Sequence, residues 1–320
     1  MPIQLALALD VGGTKVESAL VSSDGALVPG SRHRRPTGRA LAPDGFLDAI
    51  GACVDLSLAA ARRAEVVGIG IGSAGPIDVS EGRVSPKNLP LLHGFPLRDA
   101  IEQRSGGLPA VLRLDGTCIA LAEQWVGANR AAASSMSLVV STGVGGGIVL
   151  EGRIVSGRSG NAGHIGQIHL RDADAASGSD GTLESIASGP SSVSWARSRG
   201  WSGLTGEDLG RSAAGGDATA VAAIRRSASA VGTAIASVAT LLDIDAFAVG
   251  GGFSGVTDWY LEEVRRAARA GVVFDYSREV GIRPSGLGSE GPLIGAAALV
   301  HLPLLLGPAR TREPVSVDLL

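Results

Sequence analysis

Leu9-Asp10-Val11-Gly12-Gly13-Thr14-Lys15 closes one apolar strand and turns sharply into another. Ile3 to Leu9 reads as a buried strand, and Val16-Glu17-Ser18-Ala19-Leu20-Val21 alternates apolar and polar as its antiparallel partner. Two glycines at such a tip leave backbone N–H groups unshielded by side chains, which close approach of a phosphate requires. Asp10 stands beside them, where a carboxylate can hold a hydrated Mg²⁺ against the phosphates. A plain Gly-Gly hairpin turn accounts for the motif equally well when it is taken alone.

The design recurs. Ser137-Leu138-Val139-Val140-Ser141 is a second apolar strand, followed by Thr142-Gly143-Val144-Gly145-Gly146-Gly147 and then Ile148-Val149-Leu150. Two copies of strand, glycine turn and strand imply two related domains facing one cleft, each offering a phosphate loop. A third cluster, Val249-Gly250-Gly251-Gly252-Phe253, follows apolar residues and precedes a helix expected near Asp258; bare backbone there suits a planar adenine ring.

Asp10 to Lys15, Thr142 to Gly147 and Val249 to Gly252 together resemble the two phosphate motifs and the adenosine motif of the actin-like sugar kinases. More closely, the chain resembles the ROK family (repressors, open reading frames, sugar kinases). Gly68 to Asp78, Asn88-Leu89-Pro90 and Gly160-Asn161-Ala162-Gly163-His164-Ile165-Gly166 match that family in order and spacing, and the similarity runs from Leu5 to about Leu299. The resemblance implies an α/β chain with the actin-like ATPase (ribonuclease H-like) fold, two related domains flanking an active-site cleft. It places 1–116 plus about 291–305 in the first domain, 117–290 in the second, and 306–320 in a tail. It also implies ATP and Mg²⁺ as cofactors. Asp10, Gly12, Gly13, Thr14, Lys15, Thr142, Gly143, Gly145, Gly250, Gly251 and Gly252 are the phosphate- and nucleotide-binding residues it predicts, with Asp10 reaching Mg²⁺ through water.

Phosphoryl transfer needs positioned phosphates, a metal and a base for the proton of the attacking hydroxyl. Asp115 is the candidate base: it ends the strand Ala110 to Leu114 ahead of a helix, and its eight-residue step to Glu123 resembles the family's catalytic segment. A helix cap is the simpler role open to the same residue. The remaining substrate-binding set implied by the resemblance is Gly75, Asn88, Leu114, His164, Gln167 and Glu184. Three of these depart from the family pattern. Leu114 stands where the family usually has a sugar-binding Asn, so a hydroxyl facing it would lose a partner, at about 1–3 kcal/mol. His164-Ile165-Gly166-Gln167 replaces the usual Glu-x-Gly-His; a His at 164 resembles some bacterial N-acetylmannosamine kinases of the family. Gln167 also replaces a zinc-binding His, and Ala173 to Leu183 holds none of the three cysteines that complete that site. With none of about four N or S ligands in place, no structural zinc is expected.

Composition agrees with a globular enzyme. The chain has 320 residues, 45% hydrophobic and 18% charged, enough for two cores. A net charge of −3 offers no footprint for nucleic acid or an anionic membrane. No apolar run reaches the roughly 18 residues of a membrane span, and Met1-Pro2-Ile3-Gln4 lacks the basic start of a signal peptide. With only Cys53 and Cys118, no disulfide framework is implied, so the expected location is cytoplasmic. The expected partner is a small sugar or sugar-like molecule; the family is often dimeric, which leaves a homodimer open. Helices are expected over Asp44–Arg63, Thr117–Val126, Asp217–Leu242 and Pro292–His301, with Asp172–Gly181 a surface loop.

Two tempting motifs fail on context. Gly70-Ile71-Gly72-Ser73-Ala74-Gly75 fits a dinucleotide fingerprint, but that fingerprint must open a helix, and Pro76, Gly82, Pro86 and Pro90 forbid one. Lys15 and Lys87, the only lysines, both lack Walker A glycine spacing. The leading function is therefore an ATP-dependent kinase of a hexose or N-acylhexosamine. A kinase of a cyclitol or deoxygenated sugar stands second, and a non-catalytic sugar sensor is the alternative of another class. A DNA-binding repressor is not expected, because the first phosphate strand begins at Ile3.

Overall fold

A computed structural model of the protein describes residues 4–61, 65–170 and 176–306. The first sheet is built from β1 (Leu5–Val11), β2 (Lys15–Ser22), β3 (His33–Pro36), β4 (Val66–Ser73) and β7 (Ala110–Leu114), in the order β3-β2-β1-β4-β7. Helix α1 (Pro43–Ala59) lies between β3 and β4 in the chain. The hairpin β5 (Ile77–Asp78) and β6 (Arg83–Val84) and helix α2 (Leu97–Arg104) precede β7.

Strand β1 shows why this sheet takes a helix on each face. Leu5, Leu7, Leu9 and Val11 point into one core with Phe46, Ile50 and Val54 of α1. Ala6 and Ala8 point the other way, into a second core of small residues. Strand β4 repeats the pattern, with Ile69 and Ile71 in the first core and Gly68, Gly70 and Gly72 on the opposite face. A Cβ at Gly70 would collide with the Ala296 carbonyl, so the glycines of the apparent dinucleotide fingerprint serve close packing of a helix on the sheet.

That helix arrives from the far end of the chain. The second sheet contains β8 (Ser135–Val140), β9 (Val144–Leu150), β10 (Arg153–Ile154), β11 (Ala246–Gly250) and β12 (Gly281–Pro284), ordered β10-β9-β8-β11-β12. Both sheets thus have three antiparallel strands followed by two parallel ones. Between β10 and β11 lie α4 (Leu183–Ala187), α5 (Gly189–Arg197), α6 (Gly206–Ala214) and α7 (Ala218–Leu242); α8 (Tyr260–Gly271) and α9 (Asp275–Arg278) precede β12. The alanine-rich α7 runs through the second core, with Ile224, Val231 and Ile235 buried there.

The fifth strand of each sheet sends its helix to the other sheet. After β7, α3 (Asp115–Trp125) packs on β8 and β9; after β12, α10 (Gly291–His301) packs on β1 and β4. The two helices touch along small residues, and a Cβ at Gly295 would meet the Cys118 carbonyl. Helix α3 starts at Asp115, two residues earlier than its sequence suggests, and the proline- and glycine-punctuated segment after β4 contains the β5–β6 hairpin. Among the described residues no helix is long and apolar enough to cross a membrane. Ile3, Arg62 and Arg63 at the end of the first expected helix, residues 172–175 of the expected surface loop and residues 307–320 of the expected tail lie outside the described residues.

Candidate active site

Each sheet presents a glycine turn at the same place, and each turn uses one N–H and frees the next two. In the β1–β2 turn Gly12 donates its N–H to the Lys15 carbonyl at 2.9 Å, so only one of the two glycine N–H groups expected to be free is so. The N–H groups of Gly13 and Thr14 have no acceptor among the described residues. In the β8–β9 turn Ser141 donates to the Gly143 carbonyl at 2.9 Å, leaving those of Thr142 and Gly143. Gly145 lies within β9, opposite Val139. Unpaired N–H groups clustered at a turn form an anion-binding concavity.

The third turn packs on the second. Gly251 has φ +96°, and a Cβ there would stand 2.7 Å from the Val140 nitrogen, so both conformation and space demand glycine. Phe253 donates its N–H to the Val140 carbonyl at 3.0 Å. This places Gly252, Phe253 and Val256 beside Thr142 on one wall of a cavity of about 1070 Å³, whose other wall is α5 and α6 through Pro190, Val193, Arg197, Glu207 and Arg211. Gly250 instead turns toward Ser285.

Asp115 opens α3 as its first helical residue rather than its cap: the N-cap position is Leu114, which makes no side-chain cap bond. The Asp115 carboxylate accepts the Gly116 N–H at 2.7 Å through Oδ1. Burial raises it above the usual carboxylate range, against that hydrogen bond and the nearby His164 ring. Asp10, only 8% exposed, is pushed up to about 7 by burial and then by the charge of Asp115, with Lys15 pulling the other way. A buried and a half-buried carboxylate in electrostatic contact suit a divalent cation, and one carboxylate plus waters and phosphate oxygens is a common Mg²⁺ donor set. Among the described residues no group of three or more His, Cys, Asp or Glu side chains could hold a metal ion.

Gly75, Leu114 and His164 meet beside Asp115. A Cβ at Gly75 would lie 2.6 Å from a Leu114 methyl and 3.1 Å from His164 Nε2. Leu114 is 3% exposed and joins the first core. The His164 Nδ1 faces the Asn161 carbonyl at 2.8 Å; as the donor there, it leaves Nε2 of a neutral ring as an acceptor. Asn88 lies against the first phosphate turn, its Cβ 2.7 Å from where a Cβ of Gly13 would be. Glu184 accepts the Val144 N–H at 2.9 Å and the Gln167 amide at 3.2 Å.

The ROK family model matches residues 6–302. The chain belongs to the ROK family. It is 37% identical over 274 residues to an N-acetylmannosamine kinase of Yersinia pseudotuberculosis, covering 82% of this chain and 88% of that one. It is 29% identical over 319 residues to a glucokinase of Streptomyces coelicolor, covering 93% and 98%. The crystal structure of a ROK family glucokinase from Streptomyces griseus with glucose and AMPPNP superposes with a TM-score of 0.79 at 29% identity, covering 92% of this chain and 98% of that one. The alternation of strands and helices described above is the actin-like ATPase fold of these ROK structures.

Sequence reasoning missed two parts of this ROK site. Glu17 is 1% exposed and receives Lys15 at 2.5 Å, Arg34 at 2.6 Å and Arg32 at 3.3 Å. Burial alone would raise it; the hydrogen bonds from Lys15 and Arg34 outweigh burial and hold it below the usual value. Lys15, expected on the phosphates, therefore rests on Glu17. The register Asp10–Glu17 and Glu17–Arg34 across β1, β2 and β3 puts these side chains in one row. Asn161 is the second omission: it accepts the Ile77 N–H at 2.9 Å and donates to the Ile77 carbonyl at 2.7 Å, joining the 159–164 segment to the β5–β6 hairpin.

Proposed function

We propose that this ROK protein is an ATP-dependent kinase that transfers the γ-phosphoryl group to a hydroxyl of a hexose or N-acylhexosamine, with Asp115 as general base. The observation that carries the reading is Asp115 itself, half-buried at the start of α3 where the first sheet hands the chain to the second. Relatives named as glucokinase and N-acetylmannosamine kinase, and a related structure holding glucose and AMPPNP, support it.

In this reading Gly13, Thr14, Thr142 and Gly143 hold phosphate oxygens with their N–H groups, and Gly12, Gly145 and Gly250 shape the turns. Adenosine enters the cavity beside Gly251 and Gly252. Lys15 moves from Glu17 toward the phosphates. Asp10 would hold Mg²⁺ through water, and that ion would neutralise charge on the phosphates. Gly75, Asn88, Leu114, His164, Gln167 and Glu184 face the acceptor. The acceptor hydroxyl gives its proton to the Asp115 oxygen not engaged by Gly116. Its oxygen bonds the γ-phosphorus as the bridge to ADP breaks. Residues 1–116 with 291–305, and 117–290, are the two domains of this proposal, supported by the seats of α10 on β1 and β4 and of α3 on β8 and β9. A cytoplasmic location fits two buried free thiols.

Leu114 favours a second reading. A buried methyl wall beside the base gives a neighbouring hydroxyl no partner, which suits a deoxygenated sugar or a cyclitol. ADP release with Mg-ATP against hexoses, N-acylhexosamines and cyclitols decides between them. Asp115→Asn is expected to lower turnover by about 10²–10⁴ while leaving binding of an ATP analogue within a few-fold. Sugar binding without turnover in the unaltered protein would point to a sensor instead.

A further inference from the structure

The Glu184 carboxylate is held by two neighbouring segments. Its Oε2 accepts the N–H of Val144, where the second phosphate turn enters β9, and its Oε1 accepts from Gln167 Nε2. The turn is shaped around it, since a Cβ at Gly143 would stand 2.7 Å from Oε2. Glu184 is half-buried in the first turn of α4, while Gln167 is exposed on the short turn that begins at Ile165. A carboxylate oxygen has two acceptor positions, so each oxygen keeps one free.

We propose that Gln167 is a positioning residue: it fixes the Glu184 carboxylate so that this one anion serves both the acceptor sugar and the Val144 end of the phosphate turn. The proposal rests on the kinase reading for the identity of the sugar site. A neutral amide is the donor suited to the task, because it fills one lone pair of Glu184 without neutralising its charge. The titratable groups on the neighbouring segments are engaged elsewhere, His164 with Asn161 and His169 beside Asp180.

Three variants test it, with sugar KM and calorimetric sugar affinity measured from pH 5.5 to 8.5 and expressed relative to the unaltered protein. Gln167→Ala is expected to weaken the sugar about tenfold in KM with kcat changed less than about threefold, the loss of one charge-assisted hydrogen bond. In a Glu184→Ala background the same change is expected to cost nothing further, because Gln167 then has nothing to position. Gln167→Glu sets two carboxylates side by side, which cannot both ionise cheaply. One shared proton restores a hydrogen bond at low pH, so its relative KM is expected near 1 at pH 5.5 and about tenfold higher by pH 8.5. A merely structural defect gives no such slope. A tenfold loss that persists in the Glu184→Ala background would make Gln167 a sugar ligand in its own right and overturn the proposal. So would a flat pH profile for Gln167→Glu. Calorimetric affinities that follow the expected pattern without any turnover would sink the kinase reading and leave this inference standing.

Discussion

As the proposed base, Asp115 must be ionised to accept a proton, and burial holds its pKa above the ordinary 3.8. Activity is therefore present above that raised value and lost as pH falls through it. The acid limb of kcat/KM is expected above the ordinary carboxylate value, and nearer neutrality if Asp10, at about 7, must also ionise in the free enzyme. A limb at an ordinary carboxylate value in a pH–rate profile would contradict the burial of this pair. Asp10 and Asp115 were legible because each ends an apolar strand, where a carboxylate has no core role. Glu17 and Asn161 were not. Glu17 reads as the polar half of an alternating strand, and its importance depends on Arg32 and Arg34 reaching it from beyond a turn. Asn161 sits 84 residues from Ile77, a pairing no local pattern announces. Gln167 was visible only as a departure from a motif; its hydrogen bond to Glu184 required the fold.

At the scale of elements, the contact of α10 with α3 depends on backbone meeting backbone. Alanine normally improves a helix interior over glycine by about 1 kcal/mol. Gly295→Ala is expected to do the reverse and cost about 1–3 kcal/mol, because its Cβ enters the space of the Cys118 carbonyl. A lower denaturant midpoint at unchanged slope is the measurement, and a higher midpoint would mean the helices separate easily. Strand β2 was readable from alternation, and β1, β8, α7 and α10 from apolar runs. Helices α5 and α6 were not, since α5 buries mostly small residues and α6 buries only Leu209. The capping box of Thr205 and Asp208 ahead of α6 was the available signal.

At the scale of the molecule, the chain passes between the sheets at 114–116 and again at 285–291. Glu123 grips the second passage: its buried carboxylate accepts from the Ser285 hydroxyl, the Gly286 N–H at 3.2 Å and the Ala128 N–H at 2.7 Å. Arg32 grips the same segment from the other side through the Ser289 carbonyl at 2.9 Å. Across the cleft mouth the link is Asn161. Asn161→Ala removes both hydrogen bonds to Ile77 and is expected to raise the sugar KM about tenfold while leaving ATP-analogue affinity within about twofold. Equal losses for both ligands in calorimetry would place the damage in the fold rather than in the mouth of the cleft. The duplication behind this arrangement was legible in the repeated glycine turns. The crossing of α3 and α10 between the sheets was expected only through the family resemblance, because a helix by itself carries no mark of which sheet it will cover.

That exchange sets an order of assembly. A chain emerging from the ribosome presents Ala6, Ala8 and Ala19 and the glycine face of β4 long before α10 has been made. The first sheet, begun earliest, is covered last. Until then its small-residue face stays open, which nascent-chain proteolysis would detect as late protection of β1, β2 and β4.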